Sequence, residues 1–249
     1  MAAPSGSKLR VAALNEDSEK VFWAHVNQDP LDFYFFISDW KFKREQTRIF
    51  MALDERDSVA GLMVIYNGCI VQVRGTREAV RLLLDGVDVA DVVVQAPLDC
   101  EDVVVDRFPA CEQKTKPILM FLRKGEENIK VTIDPEKLDV DDADEMAELM
   151  HEAYPEFWSV ITAQDIKGSF AEASWVGIRH AEKLVAFGKA VSTTPVGYVA
   201  WIATHADYWN KGYATSILSA LLKELFESSS TALIYVISDN ASGCTCIQK

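Results

Sequence analysis

Cysteine chemistry has little to work with in this sequence. Its five cysteines, Cys69, Cys100, Cys111, Cys244 and Cys246, are odd in number and scattered, with no CxxC spacing. That argues against a disulfide framework and fits a reducing compartment. Cys244 and Cys246 form the closest pair, but no histidine or second cysteine pair lies near them, so they read as terminus residues and no metal is expected. Positive charge is also short, with 25 Lys and Arg against 38 Asp and Glu and a formal net charge of −13. Nucleic acids and anionic membranes both require a cationic surface, so neither is expected as a partner. No run approaches the ~20 apolar residues of a membrane span. Residues 1–8 are an Ala/Pro/Gly/Ser tail without the apolar centre of a signal peptide. Cytoplasmic residence is the default that follows.

What is present is apolar residue in quantity, 49% of 249 positions, enough for one large core or two small ones. Residues 47–55 and 59–67 read as two strands of a hairpin around the polar turn Arg56-Asp57-Ser58. A strand at 69–74, a helix at 76–84 and strands at 91–96 and 117–122 follow. The aromatic run Phe33-Tyr34-Phe35-Phe36 with Trp40 is read as core around two short helices. The charged stretch 123–128 has linker composition, and the boundary is placed within it, giving units 1–126 and 127–249.

The second unit repeats the order of the first. A short strand is expected at 130–133 and then a helix at 141–153, with acids in its first turn and Pro155 as its stop. A second helix at 162–173, capped by Thr162, precedes strands at 175–179, 184–192 and 196–203. In the helix at 213–227, Ile217, Leu218, Leu221, Leu222 and Leu225 form one stripe opposite Ser216, Lys223 and Glu224, and an apolar strand at 232–237 follows. Strand, strand, strand, helix, strand in both halves indicates a structural duplication.

The most informative stretch is residues 199–216, VAWIATHADYWNKGYATS, where an apolar strand runs through a polar turn into a helix with one glycine at the junction. The first turn of a helix offers unpaired amide hydrogens and a partial positive charge, which suits a pyrophosphate. Gly212 permits close approach and Lys211 adds a cation. This segment resembles the cofactor motif of the GNAT N-acetyltransferases: Arg or Gln, two variable residues, Gly, one variable residue, then Gly or Ala. Gly212 and Ala214 match, and Trp209 stands where the family has Arg or Gln. The resemblance covers residues 130–249, and the tandem arrangement is similar to glycine N-acyltransferase-like proteins and their prokaryotic relatives.

The resemblance implies an α/β (α+β) fold of two tandem GNAT-like units, each a mixed, mostly antiparallel sheet flanked by helices, the first unit degenerate. It implies acetyl-CoA as co-substrate. Backbone groups of Ile202, Ala203 and Thr204 are then expected on the pantetheine arm, Asn210, Lys211, Gly212, Tyr213, Ala214 and Thr215 around the pyrophosphate, and Asn240 near the thiol end. The implied activity is acyl transfer to an amine-bearing small molecule or protein amino group, with the acidic net charge leaning toward a basic amine. The first unit is expected to cover the acceptor site or to form a homodimer surface.

The family's usual thiolate-protonating Tyr falls on Ile247, two residues before the chain ends. Another group or water then serves as acid, or catalysis is impaired, or the last strands are missing and strand 232–237 has an unprotected edge. A non-catalytic acyl-CoA-binding or sensing module is the rival reading. His205, Asp207 and Glu156 are the carboxylate and imidazole groups weighed as base, without assignment, and His151 and His180 are read as surface residues. Tyr154, Phe157 and Trp158 fit either an acceptor pocket or core.

Overall fold

The polar turn between the first two long strands closes because Asp54 Oδ1 accepts the amides of both Arg56 and Ser58 at 2.8 Å, with Asp57 in the left-handed region at φ 60°. A computed structural model of the chain describes residues 8–88, 91–110 and 115–237, apart from the side chains of Glu156 and Phe157. These fall in two compact units, residues 1–114 and 115–249.

The first unit runs β1 (Arg10–Ala13), α1 (Glu19–Val26), α2 (Tyr34–Phe42), β2 (Thr47–Leu53), β3 (Val59–Tyr66), β4 (Ile70–Gly75), α3 (Arg77–Asp85), β5 (Val93–Gln95) and α4 (Glu101–Arg107). Its sheet has the order β1-β2-β3-β4-β5, antiparallel except for β4 and β5, which α3 joins in parallel. Alternation along the strands sends Val71 and Val73 toward Ala79, Val80 and Leu83 of α3, and Leu62 and Val64 toward Phe22 and Phe36 of the two leading helices. Phe36 and Trp40 are core, in line with the structural reading of that aromatic run.

The second unit comprises β6 (Pro117–Arg123), β7 (Glu136–Lys137), α5 (Ala143–Ala153), α6 (Pro155–Trp158), α7 (Ala163–Gly168), β8 (Ser174–His180), β9 (Lys183–Ser192), β10 (Val196–Thr204), α8 (Tyr213–Ser228) and β11 (Thr231–Ile237). Pro155 ends one helix and opens the next, since its fixed φ and missing N–H suit a first helical position. Thr162 caps α7 in a capping box with Asp165. The sheet order is β6-β11-β10-β9-β8-β7, with β10 and β11 its one parallel pair among the described residues. No helix of the described residues is long and apolar enough to cross a membrane.

Three expectations change. Strand β6, read with the first unit, pairs antiparallel with β11 from Thr231↔Arg123 to Ile237↔Pro117, so the edge that missing last strands would have left unprotected is covered on that side. The division between units consequently precedes β6 instead of following it. Residues 130–133 form no strand; the amides of Thr132 and Ile133 bond Ser216 Oγ at 3.1 and 3.2 Å, and that of Lys130 bonds Ser219 Oγ at 3.0 Å. Ser216, placed by the helical stripe on the polar face, is therefore fully buried under this segment.

One buried acid sets a pH dependence. Asp39 in α2 is 8% exposed, and burial, opposed by nearby Lys43, raises its carboxyl from 3.8 to about 6. A folded-state value above the unfolded one means the charged form is disfavoured in the native protein, so stability present below pH 4 is lost as pH rises through 6. Asp39→Asn is expected to raise stability at pH 8 by up to about 2–3 kcal/mol and to give no gain at pH 4. Denaturant unfolding of both proteins at the two pH values checks this; an equal difference at both would refute it.

Candidate functional site

Strand β10 begins as a regular member of the sheet and then leaves one neighbour. Val196, Gly197 and Tyr198 pair in parallel with Thr231, Ala232 and Leu233, and no later residue of β10 pairs with β11 among the described residues. Pairing with β9 continues to Thr204↔Ala186, but Val199 opposes Ala190 and Trp201 opposes Lys189, so Ala200 is an extra residue. A bulge of this kind bends its strand and increases the local twist, which parts β10 from β11 and leaves a fork between them. Tyr198 stands at the base of the fork with the Tyr235 ring 6.4 Å away. Burial, with Tyr235 beside it, keeps the Tyr198 phenol protonated well above its ordinary range.

Beyond the bulge, Ile202 packs toward α8 while Trp201 and Ala203 join the core beneath α5 and α7. Thr204 ends the strand, and its buried Oγ1 has no hydrogen-bond partner among the described residues. Such an orphan beside a loop is the kind of atom that a bound polar group would satisfy.

The eight residues from His205 to Gly212 link β10 to α8. His205 Nδ1 accepts the amide of Asp207 at 3.2 Å, closing a short 3-10 turn. Asn210 and Gly212 take left-handed conformations, at φ 59° and 89°, and Gly212 is the N-cap of α8. A Cβ at Gly212 would also come within 3.1 Å of Thr132 Oγ1, so glycine is favoured by conformation and a side chain would need Thr132 to shift slightly. Without a side-chain cap at Gly212, the opening amides of α8 remain directed at whatever binds there.

The two side chains flanking this turn behave differently from expectation. Lys211 Nζ donates to the Asp207 carbonyl at 2.7 Å and lies over the Tyr208 ring, so its charge is drawn back onto the turn. Trp209 Nε1 donates to the Thr204 carbonyl at 2.8 Å. Of the backbone groups expected for the pantetheine arm, the Thr204 carbonyl is thus already engaged.

Among the groups weighed as base, His205 has both ring nitrogens committed: Nδ1 to Asp207, and Nε2 3.4 Å from the Glu152 carboxylate. That makes it a turn-forming residue, and Asp207 serves the same turn. His151 is tied to the Ile161 carbonyl at 2.7 Å, and His180 lies against Tyr208. Asn240 and Ile247, together with Cys111, Cys244 and Cys246, lie outside the described residues, as do the side chains of Glu156 and Phe157. Tyr154 and Trp158 meet at 6.0 Å, with Trp158 packed on the core beneath α5. Among the described residues no three His, Cys, Asp or Glu groups are arranged to hold a metal.

The equivalent junction of the first unit is closed on itself. Only Thr76 separates β4 from α3, and its side chain accepts the Ala79 amide, capping the helix from within. Gly75, at φ 135°, lies so close to β3 that a Cβ would sit 2.4 Å from the Ala60 carbonyl oxygen. Sequence reasoning found the Gly212 junction but missed Thr132, Ser216 and the row Trp175–Lys189–Trp201, in which the buried ammonium lies 4.9 and 4.5 Å from the two indole centroids. A lysine flanked at a distance by two tryptophans has no local sequence signature; strand register brings them together.

The second unit thus combines a forked parallel pair with a glycine turn at the uncapped start of a helix. Residues 143–247, within the second unit, match the model of the Acetyltransferase (GNAT) family. No curated protein matches the sequence. Solved structures share the fold over nearly the whole chain. A Drosophila protein aligns at 10% identity and TM-score 0.69 over 98% of this chain and 94% of its own. A tandem GNAT protein from the clavulanic acid biosynthesis pathway aligns at 12% and 0.60 over 97% and 94%. A GNAT-family acetyltransferase from Colwellia psychrerythraea aligns at 13% and 0.60 over 96% and 94%. The fold is that of two tandem GNAT-like units.

Ser216 gives this arrangement a direct test. Its hydroxyl is the acceptor that holds Thr132 and Ile133 against the start of α8. Ser216→Ala leaves two amides unsatisfied and is expected to cost about 1–3 kcal/mol. Hydrogen exchange at Thr132 and Ile133 is expected to accelerate in the variant, and unchanged protection there would contradict the assignment.

Proposed function

We propose that the second unit is an N-acyltransferase that moves an acetyl or other small acyl group from its coenzyme A thioester to an amine by direct attack. One observation carries the reading: the fork between β10 and β11 opens into a left-handed glycine turn at the uncapped start of α8. The family uses acetyl-CoA and acetylates amines, and the residues present fit that group. Asn210, Lys211, Gly212, Tyr213, Ala214 and Thr215 would hold the pyrophosphate, chiefly through backbone amides. The backbone of Ile202 and Ala203 would take the pantetheine arm, with Thr204 contributing its amide or its orphaned hydroxyl. Asn240 would stand toward the thiol end. Bound acetyl-CoA supplies the acyl group already activated as a thioester.

The chain's own contribution is orientation. Backbone amides fixed at a strand fork polarise an acyl carbonyl without reorganising, which is the larger part of catalysis in acyl transfer. The acceptor is an amine-bearing small molecule or a protein amino group, and it must reach the fork in its neutral form.

A second reading, an acyl-CoA-binding or sensing module without turnover, is favoured by Trp209, which takes the position of a phosphate-binding side chain and spends its N–H on Thr204. Calorimetric titration of acetyl-CoA into the intact chain and into Gly212→Trp separates the outcomes. Binding by the intact chain, weakened at least about tenfold in the variant, is expected. Thiol release with an amine panel then supports transfer, binding without release supports the sensing module, and failure of the intact chain to bind eliminates both.

A further inference from the structure

The most unusual side chain at the candidate site is Trp209. It is 49% exposed, and its indole Nε1 donates a hydrogen bond to the Thr204 carbonyl at 2.8 Å. Tryptophan carries a large apolar face and a single donor. With the donor satisfied by the Thr204 carbonyl, the indole is anchored at the end of β10, and about half of the residue's surface is open to solvent. The neighbouring cation is committed within the turn: Lys211 is engaged by the Asp207 carbonyl and the Tyr208 ring.

We propose that Trp209 is a binding residue for the arm of the acyl donor: its indole, latched to Thr204, packs an apolar face against the pantetheine chain. This rests on the acyl-CoA reading given above. A flexible chain laid along β10 has apolar segments between its amides, and an aromatic ring already held in place covers them without first losing its own rotational freedom. The latch has a second effect. It ties the end of β10 to the residue that opens the phosphate turn, so the two halves of the donor site are held together before ligand arrives. Donor affinity at this position therefore derives from apolar contact with the arm, and the nucleotide end gains nothing from it.

The test separates the two halves of the donor. Acetyl-CoA and 3′,5′-adenosine diphosphate, the nucleotide without the arm, are titrated calorimetrically into the intact chain and into Trp209→Ala, Trp209→Phe and Trp209→Arg. Burying roughly 50 Å² of apolar surface corresponds to about a tenfold change in affinity. Trp209→Ala is expected to weaken acetyl-CoA by about that factor and to leave the nucleotide unchanged. Trp209→Phe, which keeps a ring but lacks the N–H, is expected to recover part of the loss. Trp209→Arg is expected to strengthen the nucleotide while remaining weaker than the intact chain for acetyl-CoA. Equal affinity of the intact chain and Trp209→Ala for acetyl-CoA, or an equal loss for both ligands, overturns the assignment while leaving the acyl-CoA reading in place. An intact chain that binds neither ligand overturns both.

Discussion

Two parallel strands joined by a helix hydrogen-bond each other along their shared edge, and as long as they do, no ligand can reach the backbone between them. In the second unit that edge is broken by one residue. Ala200 has no opposite number on β9, the strand bends there, and the pairing of β10 with β11 ends at Tyr198 and Leu233. Everything downstream depends on this bend. It exposes the inner backbone of β10, and it leaves β11 needing support on its other side. Strand β6 supplies that support along the full length of β11. The exchange is structurally economical, because a strand paired on one edge throughout can release the other without losing its place in the sheet.

The two units build the same topology with junctions of different kinds. Both have a parallel pair, a crossover helix and a glycine near the helix start. In the first, the glycine presses against the neighbouring strand and the Thr76 side chain caps an amide of its own helix. In the second, eight residues intervene, two of them left-handed, and the cap position offers no side chain. The chemical difference is whether the helix start is satisfied internally, which loop length and cap identity control more than the helix sequence does.

This explains which features could be read from the sequence. The β2–β3 hairpin, the crossover helices and the apolar strands β10 and β11 announce themselves by local periodicity and turn chemistry. The Gly212 junction was legible for the same reason, since a strand, a polar turn and a helix start are contiguous. Nothing local distinguishes β6 as a strand of the second sheet; its PILMFL run suits either sheet, and its partner is more than a hundred residues away. Residues 130–133 have strand-like side chains, but their amides are taken by Ser216 and Ser219, and the same contact buries a serine that helical periodicity assigns to the surface. The bulge at Ala200 and the Trp209 latch are likewise invisible, because both are properties of pairing and not of residue type.

The strongly acidic balance of the chain, at −13, appears at odds with a site for a phosphate-bearing ligand. Long-range repulsion is screened within about 8–10 Å at physiological ionic strength, whereas amides at a helix start act at contact distance. A site made of backbone donors also does not depend on any one side chain. Arg or Gln can give way to Trp209, and Lys211 can fold back on the preceding turn, while the left-handed Gly212 and the amides beyond it are preserved. The element on which such a site rests is thus a backbone conformation. Structures at 10–13% identity follow this chain over nearly its whole length, so the fold tolerates extensive change of side chains.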